Sequence, residues 1–150
     1  MVPDGFERLE TGSPFTNWAG PFYFKLEDAQ LDDTNVRLGF EVAPHHCNSG
    51  GRLHGAMVCA AADLALGRNI GMELAKAGHY DNEKIAARLG APIATISLNT
   101  DFVGYAQEGD WVEVHVDVQK VGKSLGFANA YLVCAGERIA RASAVFKVLS

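Results

Sequence analysis

Residues 48–63 read Asn48-Ser-Gly-Gly-Arg-Leu-His-Gly-Ala-Met-Val-Cys-Ala-Ala-Ala-Asp63, and the rest of the chain can be arranged around them. A glycine-rich turn leads into a segment that is apolar at nearly every position, and a helix of that composition is normally buried. The segment carries one acidic residue, Asp63, although a carboxylate is costly to bury unless it has partners. This conflict between an apolar helix and its carboxylate indicates a functional role for Asp63.

The composition is that of one ordinary globular domain. The chain has 150 residues, of which 48% are hydrophobic and 21% are charged, and this length is enough to bury a core. We therefore expect a single domain over residues 1–150. Residues 1–21 are rich in proline and glycine without a sustained period, so they are predicted to form an N-terminal arm that could include one short helical turn. Phe15 and Trp18 of this arm are expected to pack onto the body.

Charge, cysteine content and the N-terminal sequence narrow the class of protein. A net charge of −5 argues against a nucleic-acid partner, because such surfaces carry clustered Lys and Arg. The 3 cysteines show no C-x-x-C spacing, which favours a reducing compartment over a disulfide framework. The sequence shows neither a secretory signal pattern nor an apolar run of about 18 residues. We expect a cytoplasmic protein without a membrane partner.

Hydrophobic periodicity before residue 92 predicts two strands and one long helix. A run that begins at Phe22 and a second over residues 36–42 alternate as strands do, and the turn-like residues 31–35 would join them in a hairpin. The apolar helix should begin near His54 or Gly55 and end near residue 77, before Gly78. Residues 82–89 could form a short second helix.

Four more strands are predicted in the second half of the chain. In the first, Ile96, Leu98, Thr100 and Phe102 alternate with Thr95, Ser97, Asn99 and Asp101, so the two sets should face opposite sides. The others are predicted near residues 112–118, 125–133 and 139–148. Short turns favour antiparallel pairing, and the apolar helix can cover the apolar face of the sheet. The predicted fold class is α+β, with a curved antiparallel sheet around one central helix.

The start of the helix is a candidate site for a developing negative charge. The first backbone N–H groups of a helix have no partner within it and carry the positive end of its dipole. Gly50, Gly51 and Gly55 would let a ligand approach this backbone closely, so a carbonyl oxygen under attack could be held there. Equally, these glycines could serve only to form a sharp loop.

Helix geometry separates Asp63 from this helix start. Asp63 follows His54 by nine residues, which places it about 13 Å along the axis and on nearly the opposite side. One chain therefore cannot easily use both groups on one carbonyl, whereas two chains related by a two-fold axis could form two complete sites. The alternative is that Asp63 lies at a solvated edge of the helix or bonds to a backbone group.

The pattern Asn48-(x5)-His54-Gly55-(x7)-Asp63 resembles the signature of hotdog-fold acyl-CoA thioesterases. The resemblance is to the phenylacetate-pathway and human thioesterase-superfamily branch of the 4-hydroxybenzoyl-CoA thioesterase-like superfamily, and it covers roughly residues 22–148. It implies a hotdog fold, hydrolysis of an acyl-CoA to a free acid and CoA, and a homodimer that pairs into a dimer of dimers. The sequence departs from the family at Ala56, where relatives have a second glycine.

The resemblance also implies a role for each matching residue. The Gly55 N–H and the Asn48 side chain would polarise the thioester carbonyl. Asp63 of a neighbouring subunit would act as general base or nucleophile, and the Thr95 hydroxyl would help to place the water or the carboxylate. His54 would bond near the leaving thiolate or support the loop.

Coenzyme A would be part of the substrate, so neither a separate cofactor nor a metal is expected. Its phosphates need a cationic rim, for which Lys123, Arg88 and Arg52 are candidates, although each could be an ordinary surface charge. Phe102, Tyr105 and Trp111 could line an acyl pocket or belong to the core. Residues 45–47, His-His-Cys, resemble a group of metal ligands, but no second cluster follows at the spacing of a zinc site, so no metal site is expected here. The alternative function is a non-catalytic protein that binds acyl-CoA or an aromatic ligand.

Overall fold

The central helix and its sheet form where the periodicity predicts them. A computed structural model of the chain describes residues 1–26, 36–78 and 92–149. The two helices are α1 (Pro14–Ala19) and α2 (Gly55–Lys76), with a short 3-10 helix at Pro44–His46. The strands are β1 (Glu7–Arg8), β2 (Tyr23–Leu26), β3 (Val36–Glu41), β4 (Ile93–Phe102), β5 (Trp111–Val121), β6 (Leu125–Cys134) and β7 (Glu137–Val148).

The strands form one antiparallel sheet in the order β1-β2-β3-β5-β6-β7-β4. The sheet wraps α2, which contacts β3, β4, β5, β6 and β7. In the part of the chain that the structure describes, β4 pairs with β7 on one side only. The strand that follows α2 in sequence therefore lies at an edge of the sheet, next to the helix.

Small residues on the sheet let α2 lie close to it. The inward positions of β6 and β7 are mostly alanine, and Gly126 stands where α2 comes nearest. A Cβ on Gly126 would lie 2.9 Å from Cδ1 of Ile70. The helix therefore buries its large side chains against a shallow sheet surface, and Leu66, Ile70 and Leu74 are fully buried.

A β-bulge in β4 overturns one prediction made from alternation. The pairing of β4 with β7 shifts by one residue between Thr95 and Ser97, which leaves Ile96 as the extra residue, 57% exposed. Since an extra residue inverts the alternation of faces, Thr95 lies on the same side of the strand as Leu98 and not on the opposite side. That side faces α2.

The N-terminal arm also differs in part from expectation. Its short helix α1 is capped by the Ser13 hydroxyl, which accepts a hydrogen bond from the Thr16 N–H at 3.2 Å, and β1 was not predicted. Phe15 and Trp18 are 58% and 68% exposed. The Trp18 ring contacts His45 edge-on, with 6.1 Å between centroids, whereas Phe15 packs only against Trp18 among the aromatic rings described, so the expectation that both pack onto the body holds only for an edge of Trp18. The predicted turn at residues 31–35 and second helix at residues 82–89 lie outside the described residues.

A helix needs about 20 mostly apolar residues to span a membrane. Within residues 1–26, 36–78 and 92–149, no helix is long and apolar enough to cross a membrane.

Candidate active site

His54 caps the start of α2 and leaves one backbone donor free. Its Nδ1 accepts a hydrogen bond from the Ala56 N–H at 2.9 Å, and its carbonyl accepts from Met57 and Val58. The Gly55 N–H, the first of the helix, has no partner among the described residues. Because Nδ1 is an acceptor, the neutral imidazole carries its proton on Nε2, which is then an exposed donor beside the helix start.

The free N–H of Gly55 lies beside an aromatic ring. A Cβ on Gly55 would be 3.3 Å from Cζ of Phe102, so the ring packs against the glycine backbone. Phe102 itself is 54% exposed. The helix start therefore combines an unpaired, dipole-supported donor with an apolar wall, which suits a carbonyl oxygen whose acyl group is apolar.

Asn48 is fixed within the loop that precedes α2. Its Oδ1 accepts hydrogen bonds from the Gly50 N–H at 2.9 Å and the Arg52 N–H at 3.2 Å. These two donors settle which end of the side-chain amide is oxygen. The Nδ2 group therefore points away from the loop backbone as a donor, which is the orientation that the predicted role of Asn48 requires.

Asp63 and Thr95 are brought together as the sequence resemblance implies. The Thr95 hydroxyl donates a hydrogen bond of 2.7 Å to Oδ1 of Asp63. Asp63 is half-buried on α2, and its other oxygen has no hydrogen-bond partner among the residues described. One carboxylate oxygen is thus held, while the second remains available to accept a proton.

Four contacts align α2 with the edge strand β4. Gly55 lies against Phe102 and Gly67 against Ile93, while the Cys59 thiol approaches the Thr100 hydroxyl at 3.6 Å and Asp63 bonds to Thr95. The helix therefore runs along the strand, with the free N–H at one end of the contact and the carboxylate further on. A rise of about 1.5 Å per residue separates Gly55 from Asp63 by about 12 Å within one chain.

Two of the predicted cations lie at opposite ends of this contact. The Arg52 guanidinium stacks over the Tyr105 ring with 4.2 Å to the centroid, close to the helix start. Lys123 lies in the turn before β6, where the Ser124 carbonyl accepts from Val148, the residue paired with Ile93. The structure therefore does not bring Arg52 and Lys123 together in one chain, and Arg88 lies outside the described residues.

Trp111, which the sequence suggested for an acyl pocket or the core, lies away from the site. Trp111 packs with Phe6 at 5.1 Å and Tyr23 at 5.8 Å between ring centroids. It alternates along β5 with the inward-facing Val112, so it lies on the face of the sheet away from α2 and not at the site. Sequence alternation could have placed Trp111 on this outer face. Nothing in the sequence signalled the stacking of Arg52 on Tyr105.

His46, in the loop before α2, is a structural group. His46 is 2% exposed, accepts from the Ala43 N–H through Nδ1 and donates to the Ala19 carbonyl through Nε2. Burial lowers the pKa of His46, opposed by the hydrogen bond to Ala19, so the ring is held neutral. Within the described ranges, no three His, Cys, Asp or Glu side chains converge as a metal site.

The chain matches the sequence model of one known protein family. The family model described as the thioesterase superfamily matches residues 50–140. This range includes most of the glycine-rich loop, all of α2 and every predicted site residue except Asn48. The chain belongs to the thioesterase superfamily. Thioester hydrolysis is therefore its general class of reaction.

Similarity to individual proteins extends over nearly the whole thioesterase-superfamily chain. It is 34% identical over 145 residues to PA0474 of Pseudomonas aeruginosa, which carries the name of an esterase, covering 97% of this chain and 96% of that protein. The PaaI protein of the Escherichia coli phenylacetic acid degradation operon has a TM-score of 0.71 at 12% identity, covering 93% and 86% of the two chains. Zebrafish thioesterase superfamily member 2 has a TM-score of 0.65 at 22% identity, covering 92% and 89%. These structures confirm the hotdog fold.

Proposed function

We propose that the protein is an acyl-CoA thioesterase whose active site forms between two copies of the chain. The observation that carries the proposal is the pairing of Asp63 with Thr95 on a helix whose first N–H has no partner among the described residues. A carboxylate near a bound water, together with an oxyanion site, is sufficient to hydrolyse a thioester, which needs no metal to be attacked.

The proposed reaction uses the free oxygen of Asp63. As a general base, it takes a proton from water while the water oxygen bonds to the thioester carbon. The Gly55 N–H and the Asn48 Nδ2 group stabilise the resulting oxyanion. The C–S bond then breaks, and the CoA thiolate takes up the proton, with the His54 Nε2–H close to the sulfur. In the alternative route Asp63 attacks the carbon itself, and the C–S bond breaks to release CoA thiolate and leave a mixed anhydride. Water then hydrolyses the anhydride to the free acid and the Asp63 carboxylate, and the remaining proton passes to the thiolate.

The two-copy site is supported by the alignment of α2 with β4. Since Phe102 marks the Gly55 end and Thr95 marks the Asp63 end, antiparallel pairing of two β4 edges would bring opposite ends together. The bulge at Ile96 adds one residue between Thr95 and the middle of the strand. Pairing Thr95 with Phe102 of a second copy therefore places Asn99 opposite Asn99, at the two-fold axis. A dimer of dimers remains the proposed higher assembly.

The same arrangement supports a role for the cationic residues. The loop with Arg52 and Tyr105 from one copy would extend past Thr95 of the other towards Ile93 and the turn that holds Lys123. Arg52 and Lys123 from different chains would then flank one site. We propose that these two residues, with Arg88, hold the phosphates of CoA.

The test is release of CoA thiol, measured by DTNB over a panel of short, long and aromatic acyl-CoAs. Asp63→Asn keeps the shape and the Thr95 contact but removes the base, so kcat should fall by at least about a hundredfold. Asp117→Asn on the outer face of β5 removes the same charge elsewhere and should leave kcat unchanged. Activity of Asp63→Asn within a few-fold of wild type would overturn the mechanism. Tight binding of the esters without thiol release by the wild-type protein would support the non-catalytic binding function instead.

A further inference from the structure

Arg52 and Tyr105 form an exposed stacked pair beside the start of α2. Tyr105 is 59% exposed and Arg52 is exposed, yet the guanidinium stacks over the ring at 4.2 Å. Such stacking is worth about 0.5–1 kcal/mol at exposed sites, which is enough to favour one position of an otherwise mobile side chain. It leaves the N–H groups at the edge of the guanidinium free to bind.

The backbone beneath the pair is fixed on both sides. The Arg52 N–H donates to Oδ1 of Asn48 at 3.2 Å, and its carbonyl accepts from the Asn48 N–H at 2.8 Å. On the other side Arg52 forms a β-bridge with Gln107, and the Leu53 N–H donates to the Ala106 carbonyl at 2.8 Å. The loop that carries the guanidinium is therefore the loop that orients Asn48.

Among the residues that the structure describes, no carboxylate neutralises this guanidinium. Arg52 forms no ion pair within the described residues, whereas Arg141 is paired with Asp101 at 2.9 Å. In a chain with a net charge of −5, an unpaired Arg held beside the helix start presents the charge that an anionic ligand requires. Planar guanidinium suits phosphate oxygens because it donates two parallel hydrogen bonds.

We propose that Tyr105 is a positioning residue that holds Arg52 to bind the phosphate-bearing part of the thioester substrate. The inference rests on the proposed function and refines it, because the pair would make the enzyme select CoA esters over thioesters that lack phosphate. Tyr105 then does not line the acyl pocket; its ring supports the cation.

The test compares two substrates that carry the same acyl group, the CoA ester and the N-acetylcysteamine ester, which has no phosphate. Arg52→Gln removes the phosphate contact and should raise KM for the CoA ester by about tenfold or more with little change in kcat. Tyr105→Leu removes only the stacking that holds the guanidinium, so it should raise the same KM by about two- to fivefold. The ratio of kcat/KM for the CoA ester to that for the short ester should fall by the same factor. Tyr105→Phe keeps the ring and should restore the wild-type ratio.

A charge control and salt dependence separate this role from a structural one. Arg8→Gln removes an exposed Arg from β1, at the other edge of the sheet, and should leave the ratio unchanged. Added salt should lower kcat/KM of the wild type for the CoA ester more steeply than that of Arg52→Gln, because the variant has one fewer phosphate contact. Equal losses on both esters in Arg52→Gln or Tyr105→Leu would overturn the inference alone. Failure of the wild type to cleave either ester would overturn the proposed function and the inference with it.

Discussion

Two inactive variants should restore each other's activity if the site is shared between chains. Gly55→Pro removes the free N–H of the helix start, and proline is favoured at the first position of a helix, so α2 should still form. His54 already has the extended backbone that precedes proline, with φ −67° and ψ 138°. Asp63→Asn removes the base from the other half of the site.

The expected recovery follows from counting sites. Loss of one oxyanion donor costs about 10²–10³ in kcat, so each variant alone should have at most about 1% of wild-type activity. When both chains are produced in equal amounts, about half of the dimers are mixed, and each mixed dimer has one intact site of two. Thiol release should therefore recover to about one quarter of wild-type activity. Further pairing of dimers does not change this fraction.

The matched controls isolate the N–H group. Gly55→Ala keeps the donor but adds the Cβ that lies 3.3 Å from Phe102, so it measures the effect of crowding by itself. Each variant co-produced with a differently tagged copy of itself gives the background. Tandem purification on two tags demonstrates mixed dimers. If a sample that contains mixed dimers shows no more activity than this background, both groups act within one chain and the two-copy site is wrong.

Three further outcomes are expected. Thr95→Val removes the hydroxyl that holds Asp63 and should lower kcat for an acyl-CoA by about tenfold. Thr95→Ser keeps a hydroxyl and should have a kcat close to that of the wild type. Equal kcat in the Val and Ser variants would exclude this role. Asn69→Ala removes the buried side chain that bonds both the N–H and the carbonyl of Val36, so urea denaturation should show a loss of about 1–3 kcal/mol for each group left unpaired, against little change for the exposed Asn17→Ala. Because burial lowers the pKa of His46 in the folded state, only the unfolded chain gains a proton as the pH first falls below about 6.5. Wild-type stability should therefore drop between pH 7.5 and about 5.5 more than that of His46→Gln, and parallel urea midpoints for the two proteins would contradict this.

The helix, the strands that pair around it and the candidate acid could be predicted from local pattern. An apolar run of helical length that carries one carboxylate is informative because burial penalises a charge strongly. Period-2 alternation marked β5 and β7 because each of these strands has one buried face. The motif from Asn48 to Asp63 was equally local, and the family comparison is consistent with it.

The faces of β4 and the partners of the charged groups were decided only by the tertiary structure. Alternation placed Thr95 opposite Leu98, but a bulge at Ile96 turns Thr95 towards Asp63. A bulge arises from pairing with β7, which lies more than forty residues away in sequence, so local alternation carries no trace of it. The stacking of Arg52 on Tyr105 likewise joins two loops that the fold of β4 and α2 brings together. Local sequence determined which residues are candidates for the chemistry, while long-range strand pairing determined which of them meet.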